Sequence, residues 1–228
     1  SIPPDSGSSS SSALAICGMF AIRLSNQLDT GAEVMTYTTA EAEWFCGTRG
    51  GMMDHATMMY SRDDSVLRLT FNPFSQQAIQ LPKEMSGVKF ATLFTHPSKK
   101  GSEIKRAFNE LAFVAREIIP RLVSKNWQDD WENVAMELPE KMSREEIVNL
   151  WPDDCGVFEN MYPALFDINF EIKVANRFRF AMRELDRSKR MQSLLTSGNC
   201  TADQIGIIMN EAWVDAGELY GIRTAEMD

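Results

Sequence analysis

The first apolar block runs Ala13-Leu-Ala-Ile-Cys-Gly-Met-Phe-Ala-Ile22 and continues to about Leu28. It lacks Pro and has little β-branching, so it predicts a mostly buried helix. Thr38-Thr39 predicts the cap of a second helix over residues 40–46, ended by Gly47. A Gly-rich turn over residues 47–51 leads to Asp54, and a short third helix is expected over residues 54–60. Ser61-Arg-Asp-Asp64 reads as a turn. Residues 66–71 alternate apolar and polar and predict a strand, as do residues 78–81 and 88–96.

From Ser102 onward the period becomes helical. Ile104, Phe108, Leu111 and Ala115 share one face, and Pro120 interrupts near the end of that run. Shorter helices are expected over residues 126–137 and 143–151, where Ser143-Arg-Glu-Glu146 fits a capping box. Two long helices are expected over residues 176–195 and 201–220, with Thr201 as the cap of the second. The change from mixed to mostly helical pattern near residue 80 is the candidate boundary between two domains, residues 1–80 and 81–228. The fold class is α+β.

Composition narrows the function classes. A net charge of −9 and a pI near 4.9 argue against a nucleic-acid binder. Lys99-Lys100 and Arg187-Ser-Lys-Arg190 read as solvated helix ends. No apolar run approaches the roughly 18 residues of a membrane span, and no signal peptide is visible. Cys17, Cys46, Cys155 and Cys200 are far apart, without zinc-ligand spacing and without a disulfide framework. Cys17 and Cys46 sit in apolar surroundings and read as small core residues, and a reducing, cytoplasmic compartment is expected.

Two segments carry candidate chemistry. In the first, Pro3-Pro4 and Gly7 precede five serines, Ser8 to Ser12, which run directly into the apolar helix. One reading is a flexible Ser-rich leader. The other is a phosphate loop: unpaired N–H groups and the positive dipole end of a helix favour phosphate, and small serines allow close approach and donate hydroxyls. No Gly-Lys-Ser/Thr follows, so it is not a Walker A loop. In the second segment Gly50-Gly-Met-Met-Asp54 presents a carboxylate, read either as a helix cap or as the group that meets a substrate hydroxyl. Met52, Met53, Met58 and Met59 read as core filler.

The serine segment resembles the second motif of the GHMP sugar kinases, in the branch of galactokinase and N-acetylgalactosamine kinase. That motif is approximately P-x-x-x-G-L-S-S-S-A; here Pro3/Pro4, Gly7, Ser9 to Ser12 and Ala13 match it, with Ser8 in place of Leu. Residues 42–55, Ala42-Glu-Trp-Phe-Cys-Gly-Thr-Arg-Gly-Gly-Met-Met-Asp-His55, resemble the family's E-x-x-x-G-x-x-x-G-x-M-D-Q. Fainter likenesses are the segment at residues 88–96, the helix holding Lys105-Arg-Ala-Phe-Asn-Glu110, and Asn210-Glu-Ala-Trp with Glu218-Leu-Tyr220 and Glu226-Met-Asp228.

The resemblance implies that Gly7, Ser9, Ser10, Ser11 and Ser12 hold ATP phosphates, that Ser11 is the hydroxyl beside Mg²⁺, and that Asp54 is the catalytic carboxylate. Gly51 would touch the sugar through its backbone. Glu43, or Glu41, would help hold Mg²⁺, although a solvated helix face explains both equally. His55 stands where the family has Gln, and reads as a surface or cap residue. No Tyr lies near Ser102, where the family packs one on the sugar. The family's first motif, with its Arg and sugar ligands, and its third, Gly-rich motif have no counterpart in these residues.

The implied fold is an S5-like domain remnant followed by a ferredoxin-like domain with helical additions. The implied function is sugar-1-kinase activity with ATP and Mg²⁺ on a galactose-like sugar, weak or absent in this chain alone because the cationic partner is missing. Pairing between copies through exposed sheet is expected. The alternatives are a non-catalytic sugar or nucleotide sensor, and a structural fragment whose serines are only a linker.

Overall fold

The computed structural model of the chain describes residues 2–4, 7–94, 97, 101–123, 130–166 and 171–224. The serines do start a helix: α1 is Ser10–Ser25, followed by α2 at Ala32–Ala42 and a 3-10 turn at Glu43–Cys46. Gly47 ends that turn in the left-handed region (φ 86), where a side chain would be strained. α3 is Met53–Tyr60, and β1 (Ser65–Phe71) and β2 (Phe74–Gln80) form an antiparallel hairpin. Phe74 sets the hairpin on the helices before it, with ring contacts to Tyr37 of α2 and Tyr60 of α3 at 5.9 and 5.7 Å.

α4, Ser102–Phe113, continues through a π-helical turn, Val114–Ile118, into α5, Ile119–Leu122. Then come α6 (Trp131–Glu137), β3 (Met142–Ser143), α7 (Arg144–Leu150), α8 (Cys155–Met161) and β4 (Glu171–Ile172), which pairs antiparallel with β3. The long α9 (Val174–Thr196) and α10 (Ala202–Asp215) follow, and α10 ends in a π-helical turn, Ala216–Tyr220. Ser143 and Thr201 close reciprocal capping boxes with Glu146 and Gln204, satisfying helix N–H groups that would otherwise face water.

The main core lies after α4. Phe113, Ile118, Ile147, Phe158, Tyr162 and Phe178 bury together, with Phe113 edge-on to both Phe158 and Tyr162 at 5.1 Å. A smaller cluster, including Ile79, Met85, Leu195 and Ile205, seats the hairpin against the end of α9 and the start of α10. Burial of each such side chain contributes about 1.5–3 kcal/mol.

Several expectations are corrected. α1 is helical but not mostly buried: only Ser12 and Ile16 are buried, while Leu14, Ile22 and Leu24 are exposed. An apolar run predicts helix and burial together, but burial needs a partner surface, and the neighbours of α1, chiefly α2 and α3, leave those side chains uncovered. α2 starts at Ala32 rather than at residue 40, and Thr39 is no cap; its hydroxyl donates to the Met35 carbonyl inside the helix. Residues 88–94 form no strand, because no described segment pairs with them, and Leu93 is 85% exposed. Residues 95–96, 98–100 and 126–129 of the sequence readings, and residues 226–228, lie outside the described residues.

On α4 the buried face is Ala107, Asn109, Glu110 and Phe113, not the stripe of Ile104, Phe108, Leu111 and Ala115. Cys17 and Cys46 are exposed rather than core residues. Met52 is buried, but Met53 points outward. Arg187 is no solvated helix end; it is buried against Asp215 and Glu184. No helix among the described residues is long and apolar enough to cross a membrane.

Candidate active site

The chain before α1 turns twice through the left-handed region, at Gly7 (φ 75) and at Ser9 (φ 55). For Ser9 that conformation costs about 1–2 kcal/mol, and something in the fold must offset it. Ser9 occupies the N-cap position of α1, yet its side chain does not cap the helix. Its hydroxyl donates to Asp54 Oδ2 at 2.5 Å instead, across 45 residues of sequence. The first internal bond of α1 runs from Ala13 N–H to the Ser9 carbonyl at 3.0 Å, so no side-chain cap covers the N–H groups of its first turn.

Ser12, one turn along and buried, donates to Glu43 Oε2 at 3.0 Å. The same oxygen lies 3.4 Å from His55 Nε2, without the alignment of a hydrogen bond. His55 is 1% exposed, so it is neither a surface residue nor a cap. Burial pushes its pKa below the usual imidazole value, against the opposing pull of the Glu43 and Asp54 carboxylates, and the ring is therefore neutral at pH 7. Two contacts thus tie the serine segment to the second segment: Ser9 to Asp54, and Ser12 to Glu43 beside His55.

Next to these contacts is a cavity of about 310 Å³, whose walls include Ser11, Glu43, Thr48, Gly50, Gly51 and Lys105. Ser11, Glu43 and Gly51 therefore line one space. Asp54, Ser9, Ser10 and Ser12 do not line it; Asp54 lies within a turn of Gly51, on α3, held from the serine side. Gly7 shapes the loop by its backbone, and Ser10 opens α1 without a side-chain contact among the described ones. Glu41 is exposed and lines no part of the cavity.

The glycine turn is pinned by α4. Asn109 Nδ2 donates to the Gly47 carbonyl at 3.0 Å, and Asn109 Oδ1 accepts from Arg49 N–H at 2.7 Å. Trp44 Nε1 donates to the Gly50 carbonyl at 3.1 Å, and the Arg49 and Arg116 guanidinium groups each lie 5.3 Å from the centre of its ring. α4 is itself fixed by Glu110, whose Oε2 accepts from Arg177 and whose Oε1 accepts from Lys173 N–H, both at 2.5 Å. Arg177 also donates to the carbonyls of Leu219 and Tyr220, and both members of the pair are 4% exposed.

None of Lys105, Asn109, Arg116 or the Glu110–Arg177 pair was assigned a role from sequence. The contacts of Asn109, Arg116 and the Glu110–Arg177 pair reach about sixty residues away, and no local signal marks these residues or Lys105. Among the described residues no three His, Cys, Asp or Glu side chains gather as a metal cage. Mg²⁺ beside a nucleotide needs less, commonly one or two carboxylates with substrate phosphates completing its shell. Glu43 and Ser11, facing the same cavity, supply oxygen donors of that kind.

The geometry defines a class of site: a loop at a helix N-terminus set against a glycine turn and a carboxylate-bearing helix. Residues 1–62 match the family model described as GHMP kinases N terminal domain. The match supports the GHMP kinase superfamily, and with it a kinase, a transferase that binds nucleotide. It spans the serine loop, Glu43, the glycine turn and Asp54. No curated protein matches the chain.

Proposed function

We propose that this chain carries the phosphate loop and catalytic carboxylate of an ATP-dependent sugar-1-kinase of galactokinase type. The observation that supports it best is the Ser9–Asp54 hydrogen bond, which joins the two candidate motifs in space. On this reading residues 1–80 contribute an S5-like domain and residues 81–228 a ferredoxin-like domain with helical additions, in a cytoplasmic protein. Gly7 and Ser9 to Ser12 cradle the phosphates, and Gly51 approaches the sugar through its backbone.

Asp54 meets the anomeric hydroxyl of a galactose-like sugar, orienting it or accepting its proton as the oxygen attacks the γ-phosphorus. The Ser9 hydroxyl holds the carboxylate in one orientation. Ser11 and Glu43 would hold Mg²⁺, which when bound neutralises phosphate charge. Catalysis rests on positioning and charge, since phosphoryl transfer asks little covalent chemistry of the protein.

A radiometric assay with labelled ATP·Mg and a panel of hexoses tests this reading. Asp54→Asn should lower transfer by about 10²–10⁴-fold while sparing nucleotide binding. Equal transfer by wild type and variant would remove Asp54 from the chemistry. Ligand binding with no transfer in either protein would favour the sensor reading. Self-association is a further expectation, supported by the exposed Leu14 and Leu24 of α1 and by Phe45. A single monomeric mass by light scattering at all concentrations would contradict it.

A further inference from the structure

Apart from Mg²⁺, no cationic side chain has been assigned to the transferring phosphate, and the resemblance leaves that partner without a counterpart in these residues. We propose that Lys105 supplies it, as a direct contact to the nucleotide phosphates; this rests on the kinase reading of the same site.

Lys105 and Asn109 stand four residues apart on α4, on adjacent turns of one face. Asn109 clips the glycine turn through Gly47 and Arg49, so the face that fixes the turn also carries Lys105 to the cavity wall. Ser11 of the serine loop and Gly50 and Gly51 line the same cavity. Lys105 is half-buried, and among the described residues it makes no hydrogen bond or ion pair. Glu43, the carboxylate on the cavity wall, lies beyond ion-pair distance of it.

A half-buried lysine on the wall of a cavity beside the serine loop, with no acceptor among the described residues, has its charge available for a ligand. A second cavity, about 590 Å³ among α6, α9 and α10, offers no such group. There Arg183 and Arg187 pair with Asp215 at 2.8 and 2.5 Å, and Arg190 pairs with Glu211 at 2.6 Å. The charge of a phosphoryl group in transfer is spread over its oxygens, and a fixed cation at that point lowers the barrier as well as holding the nucleotide.

The experiment is calorimetric titration of the full chain with ATP·Mg, and separately with adenosine, over a range of salt concentrations. Lys105→Met should weaken ATP·Mg about tenfold or more and flatten the salt dependence of its affinity, leaving adenosine affinity unchanged. Lys105→Arg should restore most of the loss. Because Lys105 makes no hydrogen bond or ion pair among the described residues, the urea midpoint of both variants should match wild type. If Lys105→Met binds ATP·Mg as tightly as wild type while Ser11→Ala binds weakly, the lysine assignment falls and the kinase reading stands. If wild type does not bind ATP·Mg, both fall.

Discussion

Asn109 offers the sharpest test of how the site is built. Its amide is buried and makes two hydrogen bonds to the glycine turn, at 2.7 and 3.0 Å. Truncation to Ala removes both, at about 1 kcal/mol each, and leaves a void of amide size worth about 1 kcal/mol more. A destabilisation of about 3 kcal/mol is expected. With a urea m-value of about 2–3 kcal/mol/M, the midpoint should fall by about 1 M with m unchanged. Hydrogen exchange at the Arg49 amide should accelerate before exchange in the main core does.

Asn109→Asp separates the two bonds. It keeps an acceptor for Arg49 N–H but sets a carboxylate oxygen against the Gly47 carbonyl, so it should be destabilising at pH 7. It should recover in part as acid protonates the new side chain, which then donates. Asn109→Ala has no proton to gain and should show no such recovery. An unfolding free energy for Asn109→Ala within about 0.5 kcal/mol of wild type would refute the clip.

Two further outcomes follow from buried groups. Arg177→Met leaves the buried Glu110 carboxyl without its ion-pair partner, and should cost about 3–5 kcal/mol in urea unfolding; adding Glu110→Leu should return much of that loss. His55 has a folded pKa below its unfolded value, so stability is complete above pH of about 6.5 and declines as pH falls through that value, where the unfolded chain takes up the proton first. Thermal melts between about pH 8 and pH 5 should show this decline, and His55→Gln should flatten it; an unchanged slope in the variant would assign the decline to other groups.

The readable parts of this chain are those with local causes. Ser143 and Thr201 announce their helices because the cap and its partner stand three residues apart, and both boxes form. Gly47 ends its turn with positive φ for the reason the sequence suggests. The meeting of Ser9 with Asp54 was legible only through motif resemblance, since no spacing rule joins residues 45 apart.

What escaped was decided by tertiary contact. The helical stripe of α4 is real, yet its buried face carries Asn109 and Glu110, because long-range partners satisfy their polar atoms. A lysine or histidine reads by default as solvated. Only the fold sets Lys105 on the wall of a cavity and buries His55 beside Glu43. The apolar run of α1 predicts a helix but not which surface covers it, and the structure leaves Leu14 and Leu24 exposed.

The central claim is that the serine loop and the aspartate helix together form a nucleotide phosphate site. Calorimetric titration of ATP·Mg into the chain, wild type beside Ser11→Ala, tests it most directly. The account predicts saturable binding that weakens several-fold in the variant, with the fold unchanged because Ser11 is an exposed first-turn hydroxyl. Wild-type binding that Ser11→Ala leaves untouched, or no binding at all, would contradict it.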